Sequence, residues 1–134
     1  MRELTCIVCP IGCSLLVEAS EESLKKGAAP DLAITGNRCP RGAAYAQEEI
    51  RAPRRTVTAT CEIGLPPADA ARRSLTAPHR LPVKTSAPCP KEKISDLLSD
   101  IYRVKVKLPV KAGEKLIVNW KDSGIDVVAV RTLE

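Results

Sequence analysis

The chain has 134 residues, enough for one ordinary domain or two very small ones, and 44% of them are hydrophobic, which allows a modest core. With no Phe, one Trp and two Tyr, that core must be built from Val, Leu, Ile and Ala. The aromatic platform that base stacking needs is therefore missing. The net charge of +5 comes from lysines and arginines mixed with acids along the chain, which reads as a solvated surface rather than a nucleic-acid track and could equally suit an acidic protein partner or offset an anionic cluster.

No stretch reads as a secretory signal, because Met1-Arg2-Glu3 leads into a segment interrupted by Cys6, Cys9 and Pro10. No apolar run reaches membrane-spanning length either, so a cytoplasmic protein without membrane insertion is expected. In a reducing compartment, close cysteine spacing points to metal or redox chemistry rather than to disulfides.

In chain order, Glu3 to Cys9 is rich in Thr, Ile and Val and is predicted to enter a cysteine loop as a short strand, with Ser14 to Glu18 leaving it as another. Residues 21–27 are expected to make a helical turn or hairpin tip closed by Gly27 and Pro30. Leu32 to Thr35 reads as a returning strand, followed by a turn at Gly36-Asn37. Gly42 to Ile50 favours helix and Pro53 would stop it. Cys39 then sits just ahead of a helix amino terminus, where the dipole and free N–H groups favour a thiolate.

Thr56 to Ile63 carries β-branched residues and is predicted to be a strand, and Gly64 to Arg73 loses periodicity and reads as a linker or surface loop. Leu81 to Thr85 is expected as an edge strand. Between Pro90 and Ile101, the residues Ile94, Leu97, Leu98 and Ile101 form one apolar helical stripe, with Pro90 suited to the first turn. Val104 to Leu108 alternates as a half-buried strand does. Lys115 to Trp120 and Ile125 to Val130 add two strands, with turns at Ala112-Gly113 and Ser123-Gly124. The expected fold class is α+β: a cysteine-rich metal-binding lobe over residues 1–55, a strand and Pro-rich linker over 56–80, and a helix-plus-small-sheet lobe over 81–134.

The chemistry concentrates in Cys6, Cys9 and Cys13, which come from one tight loop, and in Cys39, which returns after a long gap. A cubane cluster needs four thiolates around an inorganic core, and spacings of two and three residues let one loop wrap three corners with its amides turned inward. Gly12 can adopt backbone angles that bring the chain close to such a cluster, and Pro10 and Pro40 stiffen the segments that follow two of the cysteines. Structural zinc, the main competitor, more often uses two short cysteine pairs. The three-plus-one pattern therefore favours [4Fe–4S], with Zn as the alternative. Arg38 and Arg41 bracket Cys39 and either compensate the charge of the cluster or belong to a solvated surface.

Cys61 and Cys89 have no second cysteine near them and read as small apolar residues; the functional alternative is a spare ligand, or a reactive thiol at Cys89 beside Lys84 and Lys91. His79, the only histidine, reads as a loop residue. Lys84, Lys91, Lys105 and Lys107 read either as a docking face or as a solvated surface. There is no G-x-G-x-x-G, no G-x-x-x-x-G-K-[ST] and no plausible Ser/His/Asp set, so no catalytic residue and no small-molecule substrate are expected.

The pattern C-x2-C-x3-C, the long gap, then G-N-R-C-P-R-G and a helix ending near R-A-P resembles the amino-terminal [4Fe–4S] segment of molybdopterin oxidoreductases over Leu4 to about Arg55. That resemblance implies Cys6, Cys9, Cys13 and Cys39 as cluster ligands. Where that family commonly has lysine in C-P-K-G, this chain has Arg41, and without the large catalytic domains no pterin is expected. The whole chain resembles a family of small bacterial and archaeal proteins of unknown function. The likeness lies in this cysteine start, Leu81 to Thr85, Pro88-Cys89-Pro90-Lys91 and Asp126 to Ala129. Members often accompany anaerobic glycerol-3-phosphate dehydrogenase-like flavoproteins and NAD-linked FAD oxidoreductases. The similarity implies an accessory electron-transfer subunit that serves a flavoprotein partner. A zinc-stabilised interaction module is the alternative, and a thiol redox enzyme using Cys6 and Cys9 is a weaker third.

Overall fold

The computed structural model describes residues 1–18, 32–64 and 78–134. It is a mixed α and β protein of α+β type that divides into two compact units, Met1–Pro53 and Arg54–Glu134. The turn expected at residues 21–27 and most of the expected linker lie outside the described residues.

In the first unit, β1 (Arg2–Thr5), β2 (Ser14–Glu18) and β3 (Ala33–Thr35) form an antiparallel sheet in the order β1-β2-β3. The register pairs Thr5 with Ser14 and Leu16 with Thr35. Side chains alternate along β2: Leu15 and Val17 are buried while Ser14, Leu16 and Glu18 are exposed, the period of two that a sheet with one covered face imposes. α1 (Pro40–Arg51) begins with a proline in its first turn, where a missing N–H costs nothing, and its last turn closes when Ala52 N–H donates to the Glu48 carbonyl at 2.9 Å. It runs about two residues further at the start and one further at the end than the helix expected from composition. Cys6, Leu15, Val17, Leu32 and Ala46 make the core, with Leu4, Cys13, Ile34, Tyr45 and Ile50 packed on it. Gly42 lets α1 approach the sheet closely, since a Cβ there would meet Leu15 Cδ2 at 3.6 Å and Asn37 Cβ at 3.1 Å.

The second unit is a five-stranded sheet in the order β8-β5-β6-β10-β9. Its strands are β5 (Thr58–Ile63), β6 (Arg80–Thr85), β8 (Lys105–Val106), β9 (Lys115–Ile117) and β10 (Val127–Ala129). A two-residue ribbon pairs β4 (Arg54–Arg55) with β7 (Cys89–Pro90). α2 (Ile94–Arg103) follows a 3-10 turn at Lys91–Lys93 and buries Leu97 and Ile101, with Ile94 and Leu98 partly covered. The apolar stripe read from the sequence is thus the face packed on the core, while Pro90 stands just before the 3-10 turn rather than in the helix.

Three expectations about this unit need correction. β6 is the central strand, not an edge. Proline is tolerated there because Pro82 stands opposite Val130, one residue past the end of β10, and Val130 N–H still donates to the Pro82 carbonyl at 3.0 Å. The lost donor therefore falls where the ladder is already ending. The strand expected over Val104 to Leu108 shortens to two residues, because its parallel partner β5 stops at Ile63, opposite Val106. Lys115 to Trp120 stops at Ile117, because Asn119 turns left-handed (φ +46°) and starts a 3-10 turn at Trp120–Asp122.

Candidate metal centre

Antiparallel register decides where the first unit's cysteines go. β1 runs into Cys6 immediately after Thr5, and β2 begins immediately after Cys13; the Thr5–Ser14 pairing sets Cys6 and Cys13 opposite each other. The backbone ladder continues one step past the strands, with Cys6 N–H donating to the Cys13 carbonyl at 2.8 Å. Because β3 is antiparallel to β2, its far end at Thr35 reaches the same sheet end, and residues 36–39 lead from there to α1. Gly36 is left-handed (φ +86°) and lies so close to the β2 backbone that a Cβ would run into the Ser14 carbonyl. All four cysteines of the motif are therefore carried to one end of one small sheet, Cys9 in the connecting loop and Cys39 at the helix start.

The strand expected to run to Cys9 ends at Thr5 instead. Past the Cys6–Cys13 pair the chain must reverse, and Gly12, at φ +62°, takes a conformation that other residues reach only at a cost of about 1–2 kcal/mol. Cys6 is buried, and Cys9, Cys13 and Cys39 are half-buried. Among the described residues no three His, Cys, Asp or Glu side chains form a group that could hold a metal ion as they stand. The donor set itself suits a thiophilic metal or an iron–sulphur core: four free thiols, no competing carboxylate or imidazole in the motif, and one thiol already biased towards its anion.

That biased thiol is Cys39. It occupies the cap position of α1 in extended conformation (φ −151°, ψ 161°), and the Asn37 side-chain amide braces it by donating to the Cys39 carbonyl at 3.1 Å. The neutral thiol does not close a capping hydrogen bond. The Gly42 amide, followed by the Arg41 guanidinium and the Arg41 amide, nevertheless holds its pKa below the ordinary thiol value. Arg41 thus faces Cys39 electrostatically, and Arg38 is exposed one residue before it.

The other cysteines stand apart. Cys61 lies fully buried in β5 and points its thiol towards the Ile101 carbonyl at 3.5 Å, and Cys89 is fully buried in β7. Burial pushes both pKa values up; Arg80 for Cys61, and Lys93 and Arg54 for Cys89, oppose it more weakly. The exposed setting envisaged for a reactive Cys89 is therefore corrected: the thiol is inside the core despite its basic neighbours. His79 is exposed immediately before β6.

Sequence reading missed the apolar character of the loop between the cysteines. Ile7, Val8 and Ile11 are 74%, 44% and 60% exposed. The β-propensity of Ile7 and Val8 suggested a strand, whereas among the described residues no strand pairs with the loop beyond Thr5.

A family model described as a protein of unknown function (DUF1667) matches residues 40–131. The matched segment begins one residue after Cys39, so the cysteine loop lies outside it. No curated protein matches. The solved NMR structure of Clostridium perfringens protein CPE0013 is 21% identical, with a TM-score of 0.47, covering 60% of this chain and 84% of that one. Among the described residues, no helix is long and apolar enough to cross a membrane.

Proposed function

The chain belongs to that family of proteins of unknown function, and from this premise we propose that it is an iron–sulphur electron-transfer subunit of a cytoplasmic flavoprotein oxidoreductase. Cys6, Cys9, Cys13 and Cys39 would hold a [4Fe–4S] cluster, which supplies one-electron redox capacity when bound. One observation carries the reading: the register of a three-stranded sheet brings all four cysteines of the motif to a single sheet end, with Cys6 and Cys13 directly opposed. The chain's own residues do the rest. The amides at the start of α1 and Arg41 favour the Cys39 thiolate that ligation requires. Arg38 and Arg41 add positive charge beside a centre whose four thiolates leave it anionic.

The experiment is oxygen-free purification followed by visible absorption and by assay of iron, acid-labile sulphide and zinc. A brown protein with iron and sulphide in equal amounts, lost in Cys39→Ser, is the expected result. Stoichiometric zinc in a colourless protein would replace the reading with a zinc-stabilised interaction module. A protein with neither metal, but with a reversible Cys6–Cys9 disulfide, would point to thiol redox chemistry instead.

A further inference from the structure

The apolar loop beside the cysteines has a second property, the charge around it. Three of its five residues between Cys6 and Gly12 are exposed aliphatics, Ile7, Val8 and Ile11. Monomeric surfaces scatter such side chains singly, whereas a cluster of them on one short loop marks an interaction surface. Arg38 and Arg41 are exposed at the same sheet end, and the first turn of α1 contains no acidic residue. The nearest acid along the sheet, Glu3, is engaged by the Ser14 hydroxyl, which donates to it at 2.7 Å. Among the described residues, the end of the unit that carries the cysteines is therefore apolar at its tip and cationic at its rim.

We infer that this loop, with Arg38 and Arg41, is the docking surface for an acidic protein partner, one that presents a small apolar patch ringed by carboxylates. Charge complementarity selects the partner: two copies of this surface would oppose arginine to arginine, whereas carboxylates opposite Arg38 and Arg41 steer encounter and fix orientation. A lipid surface is disfavoured because interfacial binding draws on aromatic anchors and lysine-rich faces, and Tyr45, the single aromatic of this unit, is partly buried against its core. The inference rests on the redox reading for the purpose of the contact, since a centre held at that sheet end would be covered by whatever docks on the loop. The association itself does not depend on that reading.

Calorimetric titration of the full chain tests it, with a small acidic FMN-binding electron-transfer protein as the probe and a basic haem protein of similar size as the comparison. The acidic probe is expected to bind, more weakly as ionic strength rises, and the basic one not to bind. Ile7→Ser combined with Ile11→Ser, and separately Arg38→Glu with Arg41→Glu, should each weaken binding about tenfold or more. Both isoleucines are largely exposed, so circular dichroism should report an unchanged fold, and Val8→Ser gives a milder second variant of the same patch. No association with the acidic probe, association that these substitutions leave unchanged, or equal binding of the basic protein would overturn the inference. So would sedimentation or anionic-vesicle binding showing that the same isoleucines serve a second copy or a membrane. Iron and zinc assays on the same samples keep the two readings apart, because a chain without metal removes the redox reading while the titration still decides the docking surface.

Discussion

The indole of Trp120 donates its N–H to the Asp100 carboxylate at 2.7 Å, tying the 3-10 turn after β9 to the middle of α2. Trp120 is buried and is the chain's only tryptophan, so this one bond joins the largest side chain of the second unit's core to a helix 20 residues away in sequence. Arg103 also approaches Asp100, at 3.8 Å, but its side chain is largely exposed and that pair contributes little.

Asp100→Ala should therefore cost about 1–3 kcal/mol, because it leaves a buried indole N–H without a partner. Trp120→Phe should cost about 1–2 kcal/mol, having removed donor and demand together along with some volume. In a double-mutant cycle followed by urea denaturation, the two substitutions together should cost less than their sum. Strict additivity would show that the hydrogen bond is not what couples the turn to the helix.

Local features of this fold were legible in the sequence and long-range ones were not. The limits of β2, the stop of α1 ahead of Pro53 and the apolar stripe of α2 all follow from patterns within a dozen residues. The spacing of the motif cysteines was legible in the sequence, whereas what carries them to one sheet end, Thr5 opposite Ser14 and Leu16 opposite Thr35, is a matter of register. The central place of β6 was hidden because Pro82 signals an edge unless the length of β10 is already known. The left-handed turn at Asn119, Lys121 and Asp122 was hidden because non-glycine residues seldom adopt that conformation and here are held in it. The Asn119 side chain braces it by accepting Gly124 N–H at 2.8 Å.

Gly36 and Gly113 form a natural comparison, since both have φ +86° but only one is crowded. At Gly113 an added Cβ meets nothing within 4 Å, so Gly113→Ala should cost only the conformational penalty of about 1–2 kcal/mol. At Gly36 the Cβ would run into the Ser14 carbonyl, backbone that can yield only if β3 shifts against β2. Gly36→Ala should therefore cost more, about 2–4 kcal/mol, and should also reduce metal uptake by moving the segment that delivers Cys39. Thermal unfolding of the two variants, with hydrogen exchange on β2 and β3 amides, separates the effects. Equal costs would show that the Gly36 contact relaxes freely.

Asp126 supplies a pH dependence. Its carboxylate accepts Asn119 N–H at 2.8 Å and pairs with the Lys115 ammonium at 2.7 Å, which together hold its pKa below the ordinary carboxylate range. A carboxylate whose pKa is lower in the folded than in the unfolded chain contributes stability above its unfolded value, about 3.9, and loses it as pH falls through the folded value. Asp126→Asn retains an acceptor for Asn119 but removes the charge. The melting-temperature gap between wild type and Asp126→Asn should be full near neutral pH and should close below about pH 4. A gap that persists undiminished into strong acid would assign the effect to packing rather than to ionisation.

The same electrostatics makes the thiols distinguishable in the metal-free protein. Cys39 faces the Gly42 and Arg41 amides and the Arg41 guanidinium, so its thiolate fraction rises at lower pH than that of an ordinary cysteine. Cys61 and Cys89 are fully buried and their pKa values are pushed up, so they should be labelled only when the second unit opens. After anaerobic removal of metal by a chelator, iodoacetamide labelling read by peptide mass spectrometry should modify Cys39 at lower pH than an ordinary thiol and leave Cys61 and Cys89 unlabelled until denaturant is added. Arg41→Gln should move the Cys39 profile towards higher pH only in part, because the Gly42 amide, the larger influence, remains in place. If Arg41→Gln leaves the profile unmoved, the side chain has no hold on the thiol. If Cys39 titrates like an ordinary cysteine, the helix start does not activate it, and its place in the motif rests on position alone.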